Sequence, residues 1–395
     1  MVYKHSGGLV STVSLLITAT ALFGFTQPRV SYAVDPDIPR IQSGAYSGSI
    51  SQEIELGAAY LAGHGVARDE KHAAYWYEKA ADSGDPGAQE EVGYFYQAGI
   101  GVERDPVRAV RWFERAVAGG LISAKVNLGV AYVWGLGVRK DPSFAVELFR
   151  DAAKKGSGMG ACYLGDMYYF GVGVKKSDSD AIHWFELGSK LHNVPAKLDL
   201  ALLLLERPDQ RSQDRAMRLL REASASGSVA AKHQLGLQIL RKPTLASSET
   251  EALRELEEAA SDGYWKSSAV LGVLSRDGRI VAKDNKTAYY HFRIAALQGS
   301  EKAATLLAND LRNLSSELGP ALSQEIDQAA NAWIKKHNRS FDYLNPRNEY
   351  ANTFPAFALG PSQKDMHTAS LFEDKDPDIL QVDDCSRSCD LRMND

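Results

Sequence analysis

Cysteine is scarce in this chain, three residues in 395, too few for a disulfide framework. Neither sign of charge dominates. Forty-five Lys and Arg stand against fifty Asp and Glu, a net charge of −5, so the basic excess that marks a nucleic-acid binder is missing. Beyond the first 25 residues there is no apolar run long enough to cross a bilayer. HExxH, GxSxG and the P-loop pattern are absent, which removes the sequence signatures of zinc proteases, serine hydrolases and P-loop nucleotide enzymes. Apolar residues make up 44% and charged residues 24%. That balance excludes collagen, wholesale disorder and a multi-span membrane protein.

The beginning of the chain carries an export pattern. Lys4 and His5 precede an apolar run from Leu9 to Phe25, diluted by Ser and Thr, and Val30-Ser31-Tyr32-Ala33 follows. Small residues at Ser31 and Ala33 suit cleavage between Ala33 and Val34. A run of 17 residues is slightly short and rather hydroxylated for a permanent anchor. The expectation is a mature chain with no membrane span, periplasmic or secreted.

A strong repeat follows. Gly57, Gly93, Gly129, Gly165, Ala201, Gly236, Gly272 and Ala308 are spaced by 36 residues, with a single 35. Two further columns keep the same phase: Ala80, Ala116, Ala152, Gly188, Ala223, Ala259, Ala295, and Tyr77, Phe113, Phe149, Phe185, Leu220, Leu256, Phe292. Each unit reads as two helices, because apolar residues recur at i, i+3, i+4 and i+7. Asp105-Pro106 and Asp141-Pro142 mark the start of the second helix, Asp as cap and Pro in the first turn. Glycine inside a helix costs about 1 kcal/mol relative to alanine, and only Gly or Ala fills that column, so a neighbouring helix must pass close there. The paired turn glycines, as in Gly99-Ile100-Gly101, lack a preceding strand and a third glycine. They read as a helix C-terminal cap rather than a phosphate loop. No unit buries its apolar face alone, so the units must stack.

The Leu-Gly-x-x-Tyr, Gly-x-Gly-Val and Ala-x-x-Trp-Phe-x-x-Ala-Ala columns resemble the Sel-one-like repeat, a relative of the tetratricopeptide repeat. The resemblance implies an all-α fold: a right-handed α/α solenoid of about seven 36-residue helix-turn-helix repeats, closed by one capping helix over Ser315 to Lys336. The expected organisation is a signal peptide over 1–33, a linker over 34–51, the repeat solenoid over 52–337 and an acidic, unstructured tail over 338–395. Residues 372–395 hold eight acids against three bases, a balance of 3 − 8 = −5, and such composition stays solvated.

The resemblance implies a non-enzymatic adaptor that binds a protein or peptide on its concave face, in exopolysaccharide regulation, envelope signalling or secretion. Two other readings stand beside it. One is a secreted factor that engages host surfaces. The other is an enzyme acting on cell-wall or β-lactam substrates, which needs a nucleophile and base that no motif here supplies. No catalytic residue, cofactor, metal site or nucleic-acid partner is expected. Cys162 reads as a small packed residue, and His183 and His192 lack a third ligand at metal spacing. Cys385 and Cys389 suit a small loop or a link to another chain. For partner binding, the variable positions beside the fixed ones in the first helix point to Tyr94, Gln97, Trp134, Asp166, Tyr169 and Phe170. The Trp76, Trp112, Trp184 column drifts to Glu255 and His291, so it reads as half exposed.

The leader makes one direct prediction. N-terminal sequencing of the exported chain should begin at Val34; a chain that retains Met1 and sediments with membranes would refute the cleavage.

Overall fold

The structure, a computed structural model, describes residues 37–241, 248–299 and 301–337. Among the described residues there are seventeen α-helices and no strand. The chain divides into two compact units, 1–131 with 135–139, and 132–134 with 140 onward. The first holds α1 (Ile38–Tyr46), α2 (Ile50–Ala62), α3 (Glu70–Asp82), α4 (Pro86–Ala98), α5 (Pro106–Ala118) and most of α6 (Ile122–Trp134). The second holds α7 (Pro142–Lys154), α8 (Gly158–Phe170), α9 (Asp178–Lys190), α10 (Val194–Leu205), α11 (Gln210–Ala225), α12 (Val229–Arg241), α13 (Glu249–Ser261), α14 (Trp265–Asp277), α15 (Asn285–Gln298), α16 (Glu301–Leu318) and α17 (Pro320–His337). From α2 to α15 the helices alternate as helix A and helix B of seven successive repeats.

The turn between the two helices of a repeat is built the same way in five of the seven; α10 instead ends on Glu206 with φ −67°. Helix A ends on a left-handed glycine, with φ between 69° and 79° at Gly63, Gly99, Gly135, Gly171 and Gly278. Helix B opens on a capping side chain. Asp105 accepts hydrogen bonds from the amides of Val107 and Arg108, both at 3.1 Å, with Pro106 in the first turn. The cap is also tied back to helix A. The amides of Asp69, Asp105, Asp141, Ser177 and Asp284 donate to the carbonyls of Tyr60, Tyr96, Tyr132, Tyr168 and Ser275 at 2.8–2.9 Å. The second turn glycine has a different duty. A Cβ on Gly101 (φ 67°) would lie 2.0 Å from the carbonyl oxygen of Glu70, the first residue of the preceding helix B. The turn of one repeat therefore rests on the helix start of the previous one, backbone against backbone.

The small-residue column on helix A meets the aromatic column of its own repeat. A Cβ on Gly57, Gly93, Gly165, Gly236 or Gly272 would come within 2.5–2.7 Å of Tyr77, Phe113, Phe185, Leu256 or Phe292. The neighbouring helix inferred from the sequence is thus the repeat's own helix B. The Ala80 column works between repeats: a Cβ on Gly188 would lie 2.5 Å from the Cβ of Ala196 on the next helix A. Ala80, Ala116, Ala152, Ala223, Ala259 and Ala295 are all fully buried.

Three expectations need correction. The stretch read as a linker over 34–51 contains α1. Asp37 caps it through the Arg40 amide at 3.2 Å, Pro39 sits in its first turn, and Ile41 and Ala45 are buried in a cluster with Leu56 and Trp76. Proline there starts a helix instead of preventing one. The single closing helix over 315–336 is two helices, because Gly319 adopts φ 79° and Pro320 begins α17. The Trp76 column is not uniformly half exposed. Trp76 is 2% exposed and Glu255 only 6%, the carboxylate held by Ser224 Oγ at 2.5 Å and by Arg254 at 2.9 Å. Ala33, Val34 and the tail from 338, with Cys385 and Cys389, lie outside the described residues.

Gly93→Leu should destabilise the chain by at least about 1–3 kcal/mol, since Phe113 already occupies the space. Phe113→Ala alone should cost about 3–5 kcal/mol. Combining the two should cost clearly less than their sum in denaturant unfolding; strict additivity would show that the glycine does not answer to that ring.

Candidate functional site

Helix A of each repeat carries the residues that the sequence marks for partner binding. Tyr94 and Gln97 lie on α4 in the first unit, both half-buried. Trp134, at the end of α6, and Tyr169 and Phe170, at the end of α8, belong to the second unit and are also half-buried. Tyr169 and Phe170 stand edge to face, with ring centroids 4.7 Å apart. The Tyr169 hydroxyl donates to Glu206 at 2.5 Å, and Lys176 Nζ lies 5.2 Å from the ring centroid. Burial, reinforced by the Glu206 carboxylate, pushes the Tyr169 phenol above its ordinary range. Asp166 differs from the other five. It is 5% exposed, so its carboxylate faces the interior of the second unit and offers nothing to an external partner.

Sequence reasoning passed over a second set of residues, which couple successive A helices. Asn127 donates to Glu90 at 2.8 Å, Cys162 to Asp199 at 3.3 Å and Tyr169 to Glu206. In each case the partners are 37 residues apart, one repeat plus one position. The sequence held that signal, because aligning the repeats with a one-residue offset places these polar pairs side by side. Glu90 also accepts from Ser123 Oγ at 2.9 Å, and burial pushes its carboxyl up to about 8. In the second unit the Cys162 thiol and one carboxylate oxygen each from Asp166 and Asp199 lie within 4.8 Å of one another. Burial, with the Asp199 charge second, drives Asp166 well above the usual carboxylate range, and burial raises Asp199 to about 7.

These groups are poorly suited to covalent catalysis. A reactive cysteine needs a lowered pKa beside a cationic group, whereas burial and two carboxylates push the Cys162 thiol up. His233 Nδ1 and Ser267 Oγ approach to 2.9 Å, but both residues are buried, so the hydroxyl does not meet a substrate. No helix among the described residues is long and apolar enough to cross a membrane.

Comparison with known proteins follows the same lines. A family model described as Sel1 repeat matches residues 53–85, 86–121, 122–157, 158–193, 195–228 and 266–300. The second match coincides with one structural period, from the first residue of α4 through α5 to the residue before α6. Among solved structures, the chain is similar to a protective antigen present in uropathogenic Escherichia coli strains that displays an SLR fold. Identity is 26% and the TM-score 0.51, over 80% of this chain and 68% of that one. It is also similar to a Sel1 repeat protein from Oxalobacter formigenes, 27% identical with a TM-score of 0.53, over 69% of this chain and 79% of that one. No curated protein matches the chain.

Glu90 gives a pH prediction. Its folded-state value of about 8 lies above the ordinary 4.5, so between these limits the folded state holds a proton that the unfolded state has lost. Its contribution is fully present below about 4.5 and is lost as pH rises to about 8, with no further loss above. Glu90→Gln keeps acceptor and donor capacity without the charge. Denaturant unfolding should show the wild type losing more stability than Glu90→Gln between pH 5 and 8; parallel profiles would refute the assignment.

Proposed function

The chain belongs to the Sel1 repeat family, and from that premise we propose that it is an exported adaptor that binds a protein or peptide partner along its A helices. Sel1 repeats mediate protein–protein interactions, and their solenoids typically serve as non-catalytic scaffolds. The observation that carries the reading is the Tyr169–Phe170 pair. Two half-buried rings stand edge to face, rimmed by Glu206 and Lys176. Aromatic anchors inside a polar rim are the usual centre of binding energy in protein interfaces. Trp134, in the same unit, adds a further half-buried ring, and the first unit carries its own at Tyr94. The apolar leader and the Ala33–Val34 junction support export. An envelope role in exopolysaccharide regulation, signalling or secretion fits such an adaptor.

A second reading draws on the likeness to the protective antigen of uropathogenic E. coli: a factor released to meet a host. Periplasmic retention on cell fractionation favours the adaptor, recovery from culture supernatant the released factor.

The adaptor reading is tested by crosslinking the full chain in the envelope, identifying the captured protein, and measuring its affinity for variants. Trp134→Ala or Tyr169→Ala should weaken the partner by about 2 kcal/mol, roughly thirtyfold, with the melting temperature nearly unchanged. Phe113→Ala should instead lower the melting temperature. If Trp134→Ala and Tyr169→Ala bind as well as the wild type, these A-helix rings are not the docking surface.

A further inference from the structure

α8 and α10 are successive A helices within the second unit. Cys162 and Asp166 stand four residues apart on α8, hence on one face, one turn from each other. Asp199 projects from α10 to meet them, its Oδ2 3.3 Å from Cys162 Sγ. The thiol and one oxygen from each carboxylate lie within 4.8 Å of one another. Asp166 is 5% exposed and its Oδ2 has no hydrogen-bond partner. Among the described residues, neither Asp166 nor Asp199 takes part in an ion pair with a basic side chain. An uncompensated carboxylate in such a place costs several kcal/mol and calls for a positive charge or a proton.

From this convergence we propose that Cys162, Asp166 and Asp199 bind one zinc ion. The donor set selects the metal. Calcium and magnesium require six or more oxygen ligands, and here one donor of three is sulfur. A thiolate beside carboxylates suits zinc, which takes Cys sulfur at about 2.3 Å and Asp oxygen at about 2.0–2.2 Å. Those bond lengths put a sulfur and an oxygen on one tetrahedral ion about 3.6 Å apart, and two oxygens about 3.4 Å apart. The Cys162–Asp199 separation of 3.3 Å already comes near this, and the widest pair, at no more than 4.8 Å, closes by at most about 1.4 Å through side-chain rotation. The ion displaces the thiol proton and any proton held between the two carboxyls, both released to solvent, and sets two positive charges against the three negative ones left. Three protein donors leave a fourth position. Water or a donor from another molecule completes the tetrahedron. The site links two repeats, and loading it ties α8 to α10.

Cobalt(II) provides the readout, because a thiolate ligand gives a sulfur-to-cobalt charge-transfer band in the near ultraviolet. With Cys385→Ser and Cys389→Ser in the full chain, Cys162 is the only thiol among the original three. The band should appear, saturate at one equivalent and be displaced by zinc. Cys162→Ser should abolish it, and Asp199→Asn should weaken zinc binding at least about tenfold while the helical circular dichroism is unchanged. If Cys162→Ser does not fold, the half-buried Asp199→Asn variant decides. Absence of the band in the chain that retains Cys162 would overturn the proposal and leave the two carboxylates as a proton-sharing pair. So would a zinc affinity untouched by Asp199→Asn.

Discussion

An aromatic ring pressed against the bare Cα of a helix glycine holds most of the repeats together. At Gly93 and Phe113, and again at Gly165 and Phe185, a single added carbon would overlap the ring. The glycine sacrifices about 1 kcal/mol of helix propensity. Burial of the ring contributes about 1.5–3 kcal/mol, so the exchange favours the close pair. Where the ring becomes Leu220, the glycine becomes Ala201, and both are fully buried. At Leu256 the glycine is kept, and a Cβ on Gly236 would lie 2.7 Å from that side chain.

That contact sets the angle at which helix B returns, and two further contacts pass the arrangement to the next repeat. The second turn glycine lies on the first residue of the preceding helix B, and the alanine column meets the first turn of the following helix A. Once the register between repeats is set in this way, side chains 37 residues apart on successive A helices come face to face. Any polar group placed there is desolvated and needs a partner. Glu90 finds Asn127 and Ser123, and Tyr169 finds Glu206. Cys162 and Asp199 answer each other, but Asp166 Oδ2 does not. At this position the repeat geometry brings two carboxylates and a thiol together.

The A helices therefore carry two kinds of information. Half-buried rings such as Trp134 and Tyr169 keep part of their surface open, and the adaptor reading rests on them. Buried polar pairs are determined by the neighbouring repeat. The zinc reading and the adaptor reading concern separate atoms on these helices, and neither depends on the other. Both fit a scaffold whose rigidity comes from contacts between repeats and whose specificity comes from the surface.

Much of the architecture was legible in the amino acids. Columns of Gly, Ala and aromatic residues at 36-residue spacing determine helix pairs, their turns and their stacking, because each column answers to a local steric need. The Asp-Pro starts and the left-handed glycines were readable for the same reason: a cap or a positive φ involves only neighbours in the chain. One error, the closing helix split at Gly319–Pro320, passed over a local signal; the others fell where a distant surface decided. Asp37 to Tyr46 form a helix because Leu56 and Trp76 bury its Ile41 and Ala45, and Glu255 is tolerated inside because Ser224 and Arg254 reach it. Asp166 read as a surface position by its column alone, and the Cys162–Asp166–Asp199 cluster was invisible, because three residues from two helices converge only after the offset between repeats is set. The sequence alone determined the repeat, its helices and its turns. Tertiary structure alone decided which of the polar side chains are shut inside, since burial depends on the neighbour that each repeat leans on.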